Sequence, residues 1–475
     1  MKDSFVRLTE IEINYFKNVR YGKLSFDNRR KKFRSSILGL YGQNGSGKTA
    51  LIDAIQLLKY VLCGQTIPQY FSDYIHVDYN YARLCYDFLV KDNLKTYQVF
   101  YEFKIAKERN MEEQNMILNQ DEEDSYKVAL YDEVLSYAYE DEDTKIRKST
   151  LIDTKTEGVF VPNGKYDSLI GKDKKVMMDL FLAKKMAFMT SRSFVFSQQL
   201  LESIRNNYKN KEQDKEYNRH LSLLNRLVWY GNSELFVINT QNAGMISLNA
   251  LPLAFKYEER NVGASGLFMI SLDDLEVVPK DAVTIVEKVL LNMNTVLQQM
   301  VPGLTIGLKK LGVQTLKNGQ EGIRIQLMSY KNDKEIPLRY ESEGIKKIIS
   351  ILQLLIVIYN ESSITVAIDE IDSGIFEYLL GEILRIISEK GKGQLIFTSH
   401  NLRPLETIDR GFIAFTTTNP DKRYVRMSNI KDNNNLRDFY FRDIVLGEQN
   451  EELYDLTNNS EIAFALREAG ENSGT

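Results

Sequence analysis

Apolar and polar residues alternate at the start of the chain and again between residues 68 and 105. The segment 8–16 reads LTEIEINYF, and the segment 97–105 reads YQVFYEFKI. A period of two places apolar side chains on one face of an extended chain, as in a half-buried strand. The pattern therefore predicts a strand near the start of the chain and antiparallel strands between residues 68 and 105.

Farther along, short apolar runs alternate with segments whose apolar residues have helical spacing. This alternation is typical of a parallel sheet whose strands are joined through helices. The predicted buried strands are residues 35–41 (SSILGLY), 364–368 (ITVAI) and 394–398 (QLIFT). The predicted helices are residues 50–62, 175–232 (several helices with turns between them), 279–300, 343–359 and 376–389. Further strands are expected at 304–311 and 322–329, with a closing strand pair near 415–426.

Two segments, 107–125 and 139–149, are highly charged and contain few apolar residues. Such segments rarely fill a core, so both are predicted to be solvated loops or hairpin tips. The chain has no long heptad series, and extended coiled-coil arms are therefore not expected.

The composition limits the kinds of site that the chain can contain. It has 475 residues, 43% hydrophobic and 27% charged, which is long enough for two or three packed regions. Cys63 and Cys85 are the only cysteines and there are three histidines, so neither a disulfide framework nor a cysteine- or histidine-rich metal site is expected. No apolar run approaches the roughly 18–20 residues that span a bilayer, and the N-terminus lacks a secretory signal pattern. We therefore expect a cytoplasmic protein with no membrane partner.

The formal net charge of −4 gives no overall electrostatic attraction to nucleic acid. Local clusters of basic residues can still contact phosphates, because such contacts depend on neighbouring charges. One cluster is Arg29–Arg34 (RRKKFR), and the other consists of Lys172, Lys174, Lys175, Lys184 and Lys185. Charge runs of this kind also occur as ordinary solvated faces, and both interpretations stay open.

A glycine-rich loop stands between the predicted strand 35–41 and the predicted helix 50–62. It reads GQNGSGKT and matches the phosphate-loop pattern G-x-x-x-x-G-K-[ST] at every position. Backbone N–H groups of such a loop converge on phosphate oxygens, Lys48 reaches the β- and γ-phosphates, and Thr49 can bind Mg²⁺. The positive end of the helix dipole points at the same anion. The loop predicts binding of ATP with magnesium by Gly42, Gln43, Asn44, Gly45, Ser46, Gly47, Lys48 and Thr49.

Two adjacent carboxylates follow the predicted strand 364–368. Asp369, at the strand end, can hold the magnesium ion through water, as in P-loop enzymes generally. Glu370 is then placed to polarise the attacking water. An acidic pair after a core strand is common by itself, but together with the phosphate loop it predicts ATP hydrolysis.

The motifs GQNGSGKT, ITVAIDE and FTSH occur in this order and resemble the ABC-type ATPase heads of the SMC, RecF and OLD-like group. The resemblance implies an α/β P-loop fold with an ABC-type mixed sheet. It also implies that His400, in the third motif, senses the γ-phosphate. The segment EINYFKNVR is similar to the first strand of these heads, which implies that the residues after it lie near the adenine and ribose.

The resemblance further implies a signature motif that acts across a dimer of heads. In YESEGIKK (340–347), Ser342 and Gly344 match the S-x-G core, whose hydroxyl and N–H contact the γ-phosphate bound by the partner. Glu343 stands where many members have glycine. A serine before a helix is also an ordinary N-cap, and the two roles are compatible.

Two further contacts are implied by the resemblance. Asp372 and Ser373 match the loop that contacts the partner subunit. A glutamine that links magnesium to the second lobe is expected in the insert, where FVFSQQLLESI offers Gln198 or Gln199, and we assign Gln198.

The resemblance covers residues 1–105 and 300–418, and it suggests how the chain is divided. We expect the N-terminal half of the ATPase head at 1–105 and a largely helical insert, or second lobe, at 106–300. The C-terminal half of the head is expected at 301–418, and an extension at 419–475.

These features predict an ATPase whose heads pair as a homodimer or higher homo-oligomer, with ATP between them, to drive a conformational switch. No nuclease, TOPRIM-like or protease constellation is evident in the sequence. Such a head resembles the ATPase subunits of bacterial anti-phage and abortive-infection systems, which act with a separate nuclease or toxin. The main alternative is a RecF-like DNA-repair ATPase that binds duplex DNA. The long insert and the incomplete signature argue against a third alternative, the nucleotide-binding subunit of an ABC transporter.

Overall fold

The fold is described from a computed structural model. The structure describes residues 4–27, 36–92, 94–109, 126–211, 213–239, 250–259, 262–316, 319–332, 334–427, 435–446, 451–456 and 458–472. Its strands are β1 (Phe5–Phe16), β2 (Val19–Ser25), β3 (Ser36–Tyr41), β4 (Tyr81–Asp92), β5 (Lys95–Arg109), β6 (Tyr126–Glu140), β7 (Lys145–Asp153), β8 (Leu235–Ile238), β9 (Ala250–Glu259), β10 (Val262–Ser271), β11 (Glu276–Pro279), β12 (Leu304–Thr315), β13 (Glu321–Lys331), β14 (Lys334–Pro337), β15 (Thr365–Ile368), β16 (Gln394–Thr398), β17 (Ile413–Thr416) and β18 (Tyr424–Val425). Its α-helices are α1 (Lys48–Leu62), α2 (Asn163–Leu169), α3 (Lys174–Met189), α4 (Gln198–Asn206), α5 (Tyr208–Lys211), α6 (Lys215–Trp229), α7 (Lys280–Met300), α8 (Glu343–Asn360), α9 (Glu377–Lys390), α10 (Pro404–Thr407), α11 (Leu436–Leu446) and α12 (Asn459–Asn472).

The first sheet is antiparallel, with the strand order β2-β1-β4-β5-β6-β7. Buried and half-buried residues alternate along β4 from Tyr81 to Val90, so one face of the strand supplies the core. This agrees with the period of two in the sequence, which predicts antiparallel strands in this region.

The second sheet contains the strands that precede the candidate chemistry, in the order β18-β17-β3-β16-β15-β8. All neighbours from β17 to β8 are parallel. Every residue of β8, β15, β16 and β17 is buried, as is usual for strands covered on both faces. Because parallel strands end at the same edge of a sheet, the loops after β3, β15 and β16 meet there. The topology therefore brings together motifs that are hundreds of residues apart.

Helix α1 lies between these two sheets. Twelve of its 15 residues are buried, as expected for a helix that is apolar on nearly all sides. On one side the hydroxyl of Tyr86, from β4, donates to the carbonyl of Ala54 at 2.7 Å. On the other side α1 packs against β8, β15 and β16. The start of α1, which follows the glycine loop, is therefore held firmly against the sheet edge.

A second apolar core lies around α7 and α8. A third sheet has the order β11-β13-β12, with β14 paired to β13, and β9 and β10 form an antiparallel hairpin. Helix α7 packs on β12, and α8 packs on both α7 and β15. The N-terminus of α8 is thereby fixed relative to the strand that carries the two carboxylates.

The predicted fold class is confirmed: the chain is a P-loop α/β protein with a mixed sheet. The helices predicted at 50–62, 279–300, 343–359 and 376–389 are α1, α7, α8 and α9, with ends within two residues. The stretch 175–232 contains α3 to α6, as its pattern indicates, and β17 and β18 form the expected closing pair. Among the described helices, none combines the length and apolar character needed to cross a membrane.

One local prediction is confirmed with narrower bounds. The charged segment 139–149, predicted to be a loop or hairpin tip, contains the tip of a hairpin in which β6 continues to Glu140 and β7 begins at Lys145. The turn is only 141–144, where Asp141 accepts the N–H groups of Asp143 and Thr144 at 2.9 and 2.7 Å. The start of β7 stays largely exposed while it pairs with β6, and an edge strand of that kind can be highly charged. The other charged segment is 107–125. Its first three residues, 107–109, form the end of β5, and the remaining residues, 110–125, lie outside the described residues.

The segment 106–300 contributes to more than one part of the fold. Strands β6 and β7 extend the antiparallel sheet, α2 to α6 form the helical part, and β8 pairs in parallel with β15. The parallel sheet thus takes a strand from the segment expected to form the second lobe. The division of the chain into domains stays a prediction.

Candidate active site

A cleft of about 700 Å³ opens at the edge of the parallel sheet where the loops after β3, β15 and β16 meet. Its lining residues are Lys17, Asn18, Asn44, Gly45, Gly47, Lys48, Thr49, Ala50, Asp369, Glu370, Asp372, Ser373 and His400. The structure thus gathers the predicted catalytic lysine, glutamate and histidine at one place. The segment after EINYF also reaches this cleft, through Lys17 and Asn18.

Two glycines of the loop are required by its geometry. Gly47 is the N-cap of α1 and has a φ of 95°, in the left-handed region that side chains other than glycine rarely adopt. At Gly42 a Cβ atom would overlap the hydroxyl oxygen of Thr416, on β17. The loop therefore turns sharply and passes close to the neighbouring strand before α1 begins.

The side chain of Lys48 contacts the backbone of this loop. Its ammonium donates to the carbonyls of Gly42 and Gln43, at 2.8 and 2.9 Å. Burial lowers the pKa of Lys48, and the negative charges of Asp369 and Glu370 oppose that effect. A partly buried cation beside converging N–H groups suits an anionic, phosphate-bearing ligand.

Three residues of the predicted nucleotide-binding set, Gly42, Gln43 and Ser46, are not among those that line the cleft. The hydroxyl of Ser46 donates to the Gln43 carbonyl at 2.6 Å and also bonds to Thr416. The side-chain oxygen of Gln43 accepts the N–H of Asp455 at 3.0 Å. The side chains of Gln43 and Ser46 are thus engaged in contacts within the protein and do not line the cleft.

The two carboxylates after β15 differ in exposure and backbone geometry. Asp369 is buried, and its Oδ1 accepts the hydroxyl of Thr398, at the end of β16, at 2.5 Å. Glu370 is less buried and has a φ of 47°, in the left-handed region. Its N–H donates to the same Thr398 oxygen at 2.8 Å. Neighbouring strands thus fix both acidic residues at the mouth of the cleft.

Asp372 joins the loop after β15 to the loop that carries His400. Its Oδ2 accepts the backbone N–H groups of His400 and Asn401, at 3.1 and 3.0 Å. His400 is exposed and faces the cleft. Any movement of the histidine loop is therefore transmitted directly to the residues after the carboxylates.

The predicted signature residues lie in a separate groove. Ser342 is the N-cap of α8, and its hydroxyl accepts the N–H of Ile345 at 3.3 Å, as the helix-cap interpretation predicts. Ser342 and Gly344 line a groove of about 620 Å³ together with Gly374 and Phe376. Neither residue lines the cleft of its own chain. Glu343, at the variant position, points outward and pairs with Lys346 at 2.7 Å.

Gly344 packs directly on the loop after the carboxylates, and this contact gives a first test. A Cβ atom at Gly344 would overlap the carbonyl oxygen of Gly374, a backbone atom that no rotamer change can move. Gly344→Ala is expected to destabilise the protein by about 1–3 kcal/mol, the usual result of overpacking, seen as a lower melting temperature. Gly164→Ala is the control, because Gly164 is helical and has nothing within 4 Å of an added Cβ. Equal melting temperatures for the two variants would contradict the close contact.

A second lysine adds positive charge near the carboxylates. Lys347, in the first turns of α8, is 3% exposed, and its ammonium has no hydrogen-bond partner among the described residues. Burial lowers the pKa of Lys347 to about 8, and the nearby charges of Asp372, Glu370 and Asp369 oppose the shift. The helix that carries Ser342 is therefore coupled electrostatically to the carboxylate loop.

Sequence reasoning missed a buried polar group behind the glycine loop. Asp53, one helical turn after Thr49, accepts hydrogen bonds from Lys17 and from Asn239, which directly follows β8. Burial raises the pKa of Asp53 to about 6, and Lys17 opposes this. The available signals are that Asp53 is the only charged residue in ALIDAIQLL and that Asn239 ends the apolar run LFVI.

The structure does not bring Gln198 to the cleft. It is the first residue of α4, is exposed, and its amide donates to Glu202 at 2.7 Å. Ser197 caps this helix by accepting the N–H of Leu200. Both Gln198 and Gln199 thus lie exposed at the start of α4, and neither is among the described residues that line the cleft. The assignment of Gln198 to magnesium has no contact to support it.

The lining residues fit a nucleoside triphosphate with a divalent cation. The glycine loop and Lys48 would hold the phosphates, while Thr49 and the buried carboxylate Asp369 would hold the cation, hard oxygen ligands of the kind that magnesium prefers. The residues of the cleft therefore supply donor groups for both the phosphates and the cation from within one chain.

Part of the chain is similar to a known protein family. Residues 10–243 match a family model described as an AAA domain. No functionally curated protein matches the chain. Similar solved structures include an SMC head bound to the C-terminal winged-helix domain of ScpA (13% identity, TM-score 0.36, covering 89% of this chain and 97% of that one). Two others are the SMC head with an extended coiled coil, bound to the C-terminal domain of ScpA derived from Pyrococcus furiosus (12%, 0.34, 89% and 97%), and the SMC head domain of Thermotoga maritima (13%, 0.34, 89% and 100%). At such low TM-scores, neither the assembly nor the partners of those proteins are transferred to this chain.

Proposed function

We propose that this AAA-domain ATPase binds Mg²⁺ and ATP in the cleft and hydrolyses the ATP after two copies pair, so that hydrolysis drives a conformational switch. The observation that carries the proposal is the convergence of Lys48, Thr49, Asp369, Glu370 and His400 on one cleft. Lys48 binds the β- and γ-phosphates, Thr49 and Asp369 hold the cation, and Glu370 polarises the attacking water. Bound magnesium would neutralise phosphate charge during the transfer.

Pairing of two copies completes the site. Ser342 and Gly344 lie in their own groove, away from the cleft, so they can contact a phosphate only if it is bound by another chain. Around this groove Tyr340, Phe376 and Tyr378 are 65, 71 and 56% exposed. Exposed aromatic side chains that flank a groove are typical of protein interfaces. In a twofold dimer, the groove of each copy lies against the cleft of the other copy.

A mixing experiment tests this arrangement. Ser342→Arg should suppress hydrolysis while ATP binding to the single chain is kept, because the arginine fills the groove and not the cleft. An equal mixture with Lys48→Ala protein should regain up to about a quarter of the wild-type activity, because half of random twofold dimers are mixed and each has one intact composite site.

The control is a mixture of Lys48→Ala with Glu370→Gln. These residues belong to the same cleft, so every composite site in that mixture retains one defect and no activity should return. Recovery in this control, or none in the Ser342→Arg mixture at any ratio, would contradict the paired arrangement.

We further propose that the switch controls a separate effector, a nuclease or toxin, in a cytoplasmic anti-phage system. Helix α3 supports a docking role for this part of the chain, because Met178, Leu182, Met186 and Met189 are 49–58% exposed along one face. Contiguous exposed apolar side chains are typical of protein interaction sites. Capture of a co-encoded protein from the native host, with and without a non-hydrolysable ATP analogue, tests the proposal. Capture of duplex DNA alone would favour the RecF-like alternative.

The described residues give duplex DNA less support. Lys184, counted in the second basic cluster, donates to the carbonyls of Thr154, Thr156 and Gly158 at 2.7–2.9 Å and so caps a loop. Lys172 pairs with Asp167 at 3.6 Å. The first cluster, Arg29–Arg34, lies outside the described residues. The second cluster is therefore smaller than the sequence indicates, and we favour the effector.

A further inference from the structure

One hydroxyl contacts both acidic residues of the cleft. Thr398 is fully buried at the end of β16. Its Oγ1 donates to Asp369 Oδ1 at 2.5 Å and accepts the N–H of Glu370 at 2.8 Å. The Thr398 carbonyl also accepts the N–H of Ile371 at 3.0 Å. Three consecutive residues after β15 are thus tied to a single residue of the next strand.

The bond to Glu370 acts on a strained residue. A φ of 47° is uncommon for a residue that is not glycine, and such a conformation persists only where the surroundings hold it. The Thr398 oxygen accepts the N–H of Glu370, and φ is the rotation about the bond from that nitrogen to the Cα that carries the side chain. This hydrogen bond therefore favours the backbone conformation that aims the Glu370 side chain into the cleft.

We propose that Thr398 is a positioning residue for hydrolysis: its hydroxyl orients Asp369 toward the cation and holds Glu370 in the conformation needed to polarise water. The proposal rests on the function proposed above and adds a residue that the resemblance does not assign. One O–H group serves both carboxylates because a hydroxyl can donate and accept at once.

A merely structural role predicts different behaviour. A buried threonine that only satisfies its hydrogen bonds would lower stability when replaced, without changing the rate of the folded enzyme. Thr365 offers that comparison, because it is equally buried, lies on β15 and bonds to Gln394 at 3.2 Å at the other end of the same sheet.

The test uses Thr398→Val, which removes the hydroxyl and keeps the shape, with Thr398→Ser to restore the hydroxyl and Thr365→Val as the matched control. In the full-length protein, kcat of Thr398→Val should fall about 10–100-fold, the usual effect of losing an orienting group behind a ligand or base. KM for ATP with magnesium should rise by a smaller factor than kcat falls, because the glycine loop and Lys48 are intact. Thr398→Ser should recover most of the rate, and Thr365→Val should keep it.

A readout separate from activity comes from calorimetry. Without magnesium, Thr398→Val and the wild type should bind ATP equally, since the phosphate contacts are unchanged. With magnesium, the gain in affinity should be smaller for Thr398→Val, because Asp369 is less well oriented. In a Glu370→Gln background, Thr398→Val should lower the rate by a smaller factor than in the wild type, because only its effect through Asp369 remains.

The possible results distinguish the proposed role of Thr398 from the proposed ATPase function on which it rests. Wild-type kcat for folded Thr398→Val, alongside an inactive Glu370→Gln, would overturn the role of Thr398 and leave the proposed ATPase mechanism standing. A Thr398→Ser protein as slow as Thr398→Val would assign the effect to packing and also overturn it. Full activity of Glu370→Gln would instead contradict the proposed function. If Thr398→Val fails to fold, Thr398→Ala against Thr398→Ser gives the same comparison.

Discussion

A Lys48→Ala protein should bind no ATP at concentrations that saturate the wild type. Lys48 supplies the buried cation of the cleft, and its ammonium already lies against the carbonyls of Gly42 and Gln43. Without Lys48, no lysine of the loop would offset the repulsion between the β- and γ-phosphates and the carboxylates of Asp369 and Glu370. Titration calorimetry with ATP and magnesium measures the loss directly.

Lys59→Ala is the matched control for this result. Lys59 is the other lysine of α1, it is half-buried, and its ammonium donates to the carbonyl of Leu235 at 2.6 Å, away from the cleft. Its loss should lower the melting temperature and leave ATP affinity near that of the wild type. Equal ATP affinity for Lys48→Ala and the wild type would show that the glycine loop is not the phosphate site.

Glu370→Gln should keep ATP binding and slow hydrolysis by about 10²–10⁴-fold, the typical contribution of a general base. The amide has nearly the size of the carboxylate, so the backbone bond from Glu370 to Thr398 can persist. It cannot accept a proton from the attacking water. The ATP-bound pair should therefore accumulate, and gel filtration with ATP and magnesium should show more dimer than for the wild type.

Glu377→Gln serves as the control, because Glu377 is an exposed acid at the start of α9, close in sequence and outside the cleft. It should hydrolyse ATP at the wild-type rate. Steady hydrolysis by Glu370→Gln would exclude this residue as the base and direct attention to Asp372 or His400, which line the same cleft.

The sequence predicts those parts of the site that are formed by residues close together along the chain. The motif GQNGSGKT needs glycines because the loop turns sharply and Gly47 has a left-handed backbone conformation. The glycines that allow this turn are visible in the sequence. The acidic pair follows an apolar run whose burial is evident from its composition. The match of residues 10–243 to an AAA-domain model agrees with the predicted ATPase head, whereas the role in defence stays a proposal.

The parts that the sequence does not predict depend on strand order. Nothing in LFVI distinguishes an insert strand from a strand of the ATPase sheet, yet β8 pairs with β15 and places Asn239 on Asp53. The assignment of Gln198 rests on a resemblance that does not cover this segment of the chain. The structure places Gln198 at the exposed start of α4, and it does not line the cleft. The two bonds of Thr398 likewise appear only when β15 and β16 are neighbours.

The order of the parallel sheet also bears on how the protein is made. Strand β3, which leads into the glycine loop, lies between β16 and β17, and Gln394 comes 353 residues after Tyr41 (394 − 41 = 353). At roughly 5–20 residues per second, a ribosome needs about 20–70 s to deliver those partners. During that time β3 has neither of its two neighbours in the parallel sheet. A prematurely terminated polypeptide would thus carry the complete GQNGSGKT sequence and still lack the sheet edge that turns it into a binding site.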